Sequence, residues 1–225
     1  MMNRTGRSAL NAIFATVCTL GLLCGLGNNN ARAGETVVAF GDSITAGYPY
    51  LKVGNGCTDC AGYELFLQYF LNWEGRGRTV YNYGVAGEYL TFEGVNRIDS
   101  VMAATQADSV LIMEGTNDLA WVGPSTVAYN VYLVASKVLQ WGGKPVVATL
   151  TPDTRYGSDW KNISTTNSYI TSYVNSTPLM CLSDQYSAIA PYWDKGYTDD
   201  QLHPNYSGYW IMGMTWYYSM ATCGY

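Results

Sequence analysis

The chain has 225 residues, of which 48% are hydrophobic and only 13% charged, with a formal net charge of −5. So sparse and acidic a charge set excludes a nucleic-acid binder, which needs clustered Lys and Arg to neutralise phosphates. It also excludes electrostatic docking on anionic lipid.

The first predicted element is a targeting segment. Arg4 and Arg7 open it, an apolar run covers Ala9 to Gly27, and Ala31-Arg32-Ala33 follows three asparagines. A positive start, an apolar stretch and an A-x-A site are the order of a secretory signal peptide. The alternative is an uncleaved anchor, for which the run is short against the ~20 residues of a span and softened by Asn11, Thr16 and Thr19. Residues 1–33 are therefore expected to be removed, leaving a single domain over 34–225 that fits one sizeable core. No later segment is apolar enough to cross a membrane, so the expected product is secreted or periplasmic, with no stable membrane anchor and acting as a monomer. The leader carries three arginines and no acid, so its loss moves the net charge from −5 to −8.

Cys18 and Cys24 leave with that segment, and Cys57, Cys60, Cys181 and Cys223 remain. An even number in an exported chain implies disulfides. Four cysteines allow three pairings. The favoured one joins Cys57 to Cys60 as a local clip and Cys181 to Cys223 as a tie to the C-terminus. A metal or redox site at Cys57–Cys60 is the alternative, but structural zinc takes four Cys or His ligands and the chain has one histidine.

Along the rest of the chain, short apolar runs alternate with helix-length segments. Strands are predicted at Thr36–Phe40, Thr79–Tyr83, Asp108–Glu114, Pro145–Leu150 and Pro178–Ser183. They are nearly continuously apolar, as strands buried on both faces of a parallel sheet are. Helices are predicted at Tyr63–Trp73, Thr91–Thr105, Ser125–Trp141, Asp159–Val174 and about Asn205–Met220. Strand and helix in alternation mean an α/β domain with right-handed crossovers. The expected architecture is a three-layer α/β/α flavodoxin-like sandwich with a five-stranded parallel sheet. Ligands in such sheets bind at the carboxyl ends of the strands.

Chemistry-bearing residues stand at those ends. Gly41-Asp42-Ser43 follows the first strand, and Gly84-Val85-Ala86-Gly87-Glu88 the second. Gly115-Thr116-Asn117-Asp118 follows the third, and Asp200-Gln201-Leu202-His203 precedes the last helix. Acyl transfer needs a hydroxyl activated by a base that is itself held in one tautomer. Ser43 supplies the hydroxyl. His203, the one histidine, is the only choice for a base working near neutral pH. Asp200 lies three residues earlier, a spacing that shares a face on a turn or short helical segment. Taken singly, each residue is more simply a turn or packing residue. The G-x-S-x-G pattern of another hydrolase class is absent, since Thr45 occupies the second glycine's place.

These four blocks, in this order from Phe40 to Pro204, resemble those of the SGNH (GDSL-type) hydrolases. The resemblance implies ester hydrolysis through an acyl-serine intermediate, with Ser43, Asp200 and His203 as a triad. It also implies an oxyanion hole made of the backbone N–H groups of Ser43 and Gly87 and the side-chain amide of Asn117. Glycine at 87 would let the backbone approach the reacting centre without a side chain in the way. Asp42 and Asp118 are expected to hold loops rather than react. No metal or organic cofactor is implied. The family spans lipases, thioesterases, lysophospholipases and carbohydrate esterases, so short-chain esters, acetylated polysaccharide and lipid all remain as substrates. An acyltransferase on the same triad is a rival, as is a catalytically silent carbohydrate-binding protein. Loop aromatics expected to ring the site are Tyr48, Tyr50, Trp121, Tyr156, Trp160, Tyr192 and Trp193. The glycine-rich stretch from Pro49 to Cys60 is expected to form one wall.

Overall fold

The structure is a computed structural model that describes residues 34–50, 62–157 and 162–225. The leader, the Cys57–Cys60 clip, the loop over 51–61 and Trp160 lie outside the described residues. Five strands, β1 (Thr36–Gly41), β2 (Thr79–Gly84), β3 (Ser109–Met113), β4 (Lys144–Ala148) and β5 (Cys181–Ser183), form one sheet. Its order is β2-β1-β3-β4-β5 and every pairing is parallel. The α/β architecture expected from the alternation is the one observed.

Continuous apolar strands suit this sheet because each feeds two cores. Val37, Ala39, Leu111, Met113, Val146 and Ala148 point to one face. There they meet α1 (Tyr63–Trp73) and α6 (Tyr206–Thr222). Val38, Phe40, Val110, Ile112 and Val147 point to the other, covered by α2 (Val95–Thr105), α3 (Pro124–Gln140) and α4 (Ile163–Ser176). Burial of each such side chain is worth about 1.5–3 kcal/mol, so both faces must be covered. On the first face α6 lies tight against α1 at Gly213. A Cβ there would stand 2.6 Å from the Phe66 Cβ and 2.8 Å from the Tyr63 carbonyl oxygen.

The last strand is shorter than predicted. Met180 N–H turns back to the Thr177 carbonyl and Leu179 has φ +70°, which removes Pro178–Met180 from the ladder. The helix predicted from Thr91 starts with a π-helical turn over Leu90–Gly94 before α2. The Asp118 carboxylate sets this start, accepting from the Leu90 and Thr91 N–H groups at 2.8 and 2.7 Å. A short helix, α5 (Gln185–Ile189), and a 3-10 turn over Ala190–Lys195 were not predicted. Asp184 caps α5 by accepting from Ser187 N–H at 3.1 Å. This segment corrects the placement of Trp193 on the rim, because the 3-10 turn packs it into the core at 2% exposure. Cys181 and Cys223 are bonded, with Cα atoms 6.2 Å apart, tying the edge strand β5 to the end of α6.

Candidate active site

The turn after β1 is held from every side. Asp42 Oδ1 accepts from Ile44 N–H at 2.9 Å, and Asp42 carbonyl accepts from Ala46 N–H at 2.8 Å. Thr45 Oγ1 bonds the Tyr63 hydroxyl at 3.0 Å. Asn82, at the end of β2, donates to the Thr45 carbonyl at 2.8 Å and accepts from Gly84 N–H. Gly41 must be glycine, since a Cβ would stand 2.0 Å from the Met113 carbonyl oxygen. Ser43 is thus presented at the sheet's carboxyl edge on a rigid turn, with its hydroxyl 2.9 Å from His203 Nε2.

His203 arrives from the opposite end of the chain on a turn of its own. The Asp200 Oδ1 atom accepts from the Leu202 and His203 N–H groups at 2.9 and 2.7 Å. Asp200 Oδ2 meets His203 Nδ1 at 2.6 Å. Gln201 takes the left-handed φ of +65° that lets the chain fold back so sharply. Thr198 Oγ1 closes the turn, accepting from Gln201 N–H and donating to the His203 carbonyl. One carboxylate therefore both builds the turn and orients the ring. Burial acts to raise the Asp200 carboxyl, but the hydrogen bonds from the His203 ring and from the His203 and Leu202 N–H groups outweigh it and hold it below the ordinary range. The Tyr48 ring packs on the imidazole, centroids 4.4 Å apart.

The two further predicted donors stand in the loops after β2 and β3, at the same carboxyl edge of the sheet as Ser43. Asn117 Nδ2 donates one hydrogen to the Glu88 carbonyl at 2.9 Å, and an amide nitrogen carries a second. Gly87 sits in the exposed loop between, with φ +84°. No atom lies within 4 Å of the place a Cβ would take. The glycine is thus favoured by its backbone conformation, and the space beside it is open toward the outside of the loop.

Beneath this loop lies a charged cluster that the sequence reading missed. Arg97 grips Glu88 with two nitrogens, Nε to Oε1 at 2.5 Å and NH2 to Oε2. It also donates to the Tyr83 carbonyl at 2.9 Å and lies over the Phe40 ring at 4.0 Å. Glu114 is 1% exposed beside them. Burial first, then the hydrogen bond and negative charge of Glu88, push its carboxyl well above the ordinary range. Burial beside the Glu88 carboxylate thus favours the neutral acid at Glu114, while Arg97 balances the charge of Glu88. Room for it comes from Gly94, where a Cβ would lie 2.6 Å from Glu114 Oε2. Glu64, fully buried at the start of α1, is likewise raised by burial. The one available signal for these residues was an acid inside an apolar strand end, Met113-Glu114.

Among the described residues no group of three His, Cys, Asp or Glu side chains is arranged to hold a metal ion. Of the rim aromatics, Trp121 and Tyr156 are exposed at 72% and 74%, and Tyr192 packs on Tyr197.

A parallel five-stranded sheet with serine, histidine and aspartate in hydrogen-bonded series at its carboxyl edge brings together the groups that nucleophilic acyl transfer requires. Residues 39–211 match the GDSL-like lipase/acylhydrolase family, and the chain belongs to that family of ester hydrolases. No curated protein sequence matches the chain. Among solved structures it is similar to LAE5, an alpha/beta hydrolase enzyme from the metagenome of Lake Arreo, Spain. The TM-score is 0.70 at 19% identity, over 85% of this chain and 96% of that one. TesA aligns at TM-score 0.68 and 19% identity, over 84% of this chain and 99% of its own. Axe2, an acetylxylan esterase from Geobacillus stearothermophilus, aligns at 0.68 and 17%, over 86% and 95%.

Proposed function

We propose that the protein is an exported serine esterase that cleaves carboxylic esters through an acyl-Ser43 intermediate. The observation that carries this is the series Ser43 Oγ, His203 and Asp200, at 2.9 and 2.6 Å. His203 Nε2 takes the Ser43 proton as Oγ bonds the ester carbonyl carbon. The charge that develops on the carbonyl oxygen is met by the N–H groups of Ser43 and Gly87 and the second amide hydrogen of Asn117. The tetrahedral adduct collapses, the C–O bond to the alcohol breaks, and His203 returns its proton to the departing oxygen. Water gives a proton to His203 and its oxygen bonds the acyl carbon; the bond to Ser43 Oγ then breaks, His203 returns the proton to Oγ, and the acid departs. Asp200 keeps the imidazole proton on Nδ1 throughout. Export is supported by the A-x-A leader pattern and by the Cys181–Cys223 disulfide, a bond characteristic of oxidising compartments. Among the described residues no helix is long and apolar enough to cross a membrane.

Hydrolysis of p-nitrophenyl esters from acetate to palmitate, by wild type and Ser43→Ala, tests the reading. Wild type should turn over and the variant should fall by about 10³ or more. Equal turnover by both would remove Ser43 from the mechanism.

A further inference from the structure

The site leaves unexplained an aromatic face on the neighbouring helices. Glu64, which is buried, is the sole charged residue in the 11 residues of α1 and the 17 of α6. The outward surfaces of the two helices therefore carry no charge, and the ion pairs of Arg76 with Glu35 and Arg78 with Glu74 lie just past Trp73. Its outer surface carries Tyr69, Trp73, Tyr206, Trp210 and Tyr218, exposed by 40–72%. They form a connected series. Tyr206 and Trp210 both pack edge-on against Phe66, at 4.9 and 5.3 Å, Trp210 meets Tyr69 at 6.2 Å, and Tyr69 meets Trp73 at 4.9 Å. Gly213 allows the close approach of α6 to α1 that sets the two rows side by side.

The series runs into the active site. The Tyr206 N–H donates to the Tyr50 hydroxyl at 3.2 Å, and Tyr48, two residues before Tyr50, packs on His203. From Phe66 to Trp73, α1 rises about 10 Å, so the face continues well beyond any small ester bound at Ser43. Exposed aromatic surface of this extent marks an interaction site.

Charge chooses the partner. The helix surfaces offer no cation to phosphate or anionic lipid and no acid to a basic protein, and the charges just past Trp73 are paired with one another. The polar side chains of α1 are neutral as well, with Gln68 Nε2 donating to Asn72 Oδ1 at 2.8 Å while the rest of the Gln68 amide pins the edge strand β2 through the Arg78 carbonyl and Val80 N–H. Flat, uncharged rings, with the phenol hydroxyls of Tyr69, Tyr206 and Tyr218 among them, match the apolar faces and hydroxyl rims of sugar rings. We infer that the α1–α6 face is a binding track for a neutral polysaccharide chain, which delivers ester groups carried on that chain to Ser43. The delivery rests on the esterase reading above; the binding does not.

The test uses the protein carrying Trp73→Ala with Trp210→Ala, beside Trp73→Tyr with Trp210→Tyr and Ser43→Ala. Binding is read by retardation in native gels containing soluble acetylated xylan, hydroxyethyl cellulose or anionic polygalacturonate. Wild type, Ser43→Ala and the tyrosine variant should be retarded by at least one neutral polymer and not by polygalacturonate. The alanine variant should migrate freely. It should hydrolyse p-nitrophenyl acetate within about twofold of wild type, while its KM on acetylated xylan rises about fivefold or more with kcat unchanged. Absence of retardation of wild type by every neutral polymer overturns the track. So does concentration-dependent dimerisation that the alanine variant abolishes, or binding to phosphatidylcholine vesicles in place of polysaccharide. Retardation without hydrolysis of any ester would instead leave the track standing and remove the esterase reading.

Discussion

Asp200 concentrates two tasks in one carboxylate, because its Oδ1 builds the turn and its Oδ2 orients His203. Asp200→Asn keeps an acceptor for the turn but can present an N–H to Nδ1, turning the ring to the wrong tautomer. We expect kcat to fall by about 10³–10⁴ with a smaller change in thermal stability. An equal fall in rate and in Tm, recovered together on cooling, would mean that the turn alone had been lost. Arg97 is the second residue with a separable role. Glu88 is buried and lies next to Gly87, and its carbonyl holds Asn117. Arg97→Gln strands that carboxylate, at a cost of about 3 kcal/mol measured by urea unfolding. Arg97→Lys should restore only part of it, since an ammonium cannot make the two-pronged contact. Full stability in Arg97→Gln would show that the Arg97–Glu88 ion pair contributes nothing net.

At the scale of elements, the approach of α6 to α1 is set by one atom that Gly213 lacks. Helix propensity alone makes Gly213→Ala stabilising by about 1 kcal/mol. The added Cβ would meet the Phe66 Cβ and the Tyr63 carbonyl oxygen inside 3 Å, and overpacking costs about 1–3 kcal/mol. The expected result is a lower Tm; a higher one would mean the helices move apart freely. The edge strand β5 has three residues, little ladder to hold it, and the bond to Cys223 closes a separation of 42 residues. Cys181→Ser with Cys223→Ser should lose about 2–4 kcal/mol, and unchanged unfolding in the double variant would show that β5 is secured by packing alone.

At the scale of the whole molecule, stability depends on pH through three carboxyls of opposite sense. Glu64 and Glu114 are raised, the first by burial, the second by burial and then by Glu88. Above the ordinary glutamate value of 4.5 the unfolded chain releases these protons while the folded chain keeps them, so stability falls as pH rises until the folded groups ionise. Asp200 is lowered, so its contribution is present above the ordinary value of 3.8 and is lost as pH falls through its folded value. Together they place the best stability of this set near the bottom of the mildly acidic range. Glu64→Gln, which imitates the neutral acid, should flatten the loss between pH 5 and pH 8 in urea unfolding. An identical slope in wild type and variant would mean that Glu64 is not held as the acid.

The linear chain determined the strands and the longer helices, and it nominated the groups proposed to react. Its apolar runs are continuous because both sheet faces are covered, so β1 to β4 were legible to within a residue or two at most ends. With one histidine, the base had no competitor, and Asp200 was legible from its spacing. What only the tertiary structure decided arises between segments distant in sequence. His203 meets Ser43 across 160 residues, and Tyr48 packs on the same ring. Trp193 is core rather than rim because a 3-10 turn, unmarked by any periodicity, rotates it inward. Glu88, Arg97 and Glu114 lie in three separate segments and become one cluster only when the ends of β2 and β3 converge on α2. The aromatic face likewise needs α1 and α6 side by side, since periodicity records which residues share a helix face but not which two helices meet.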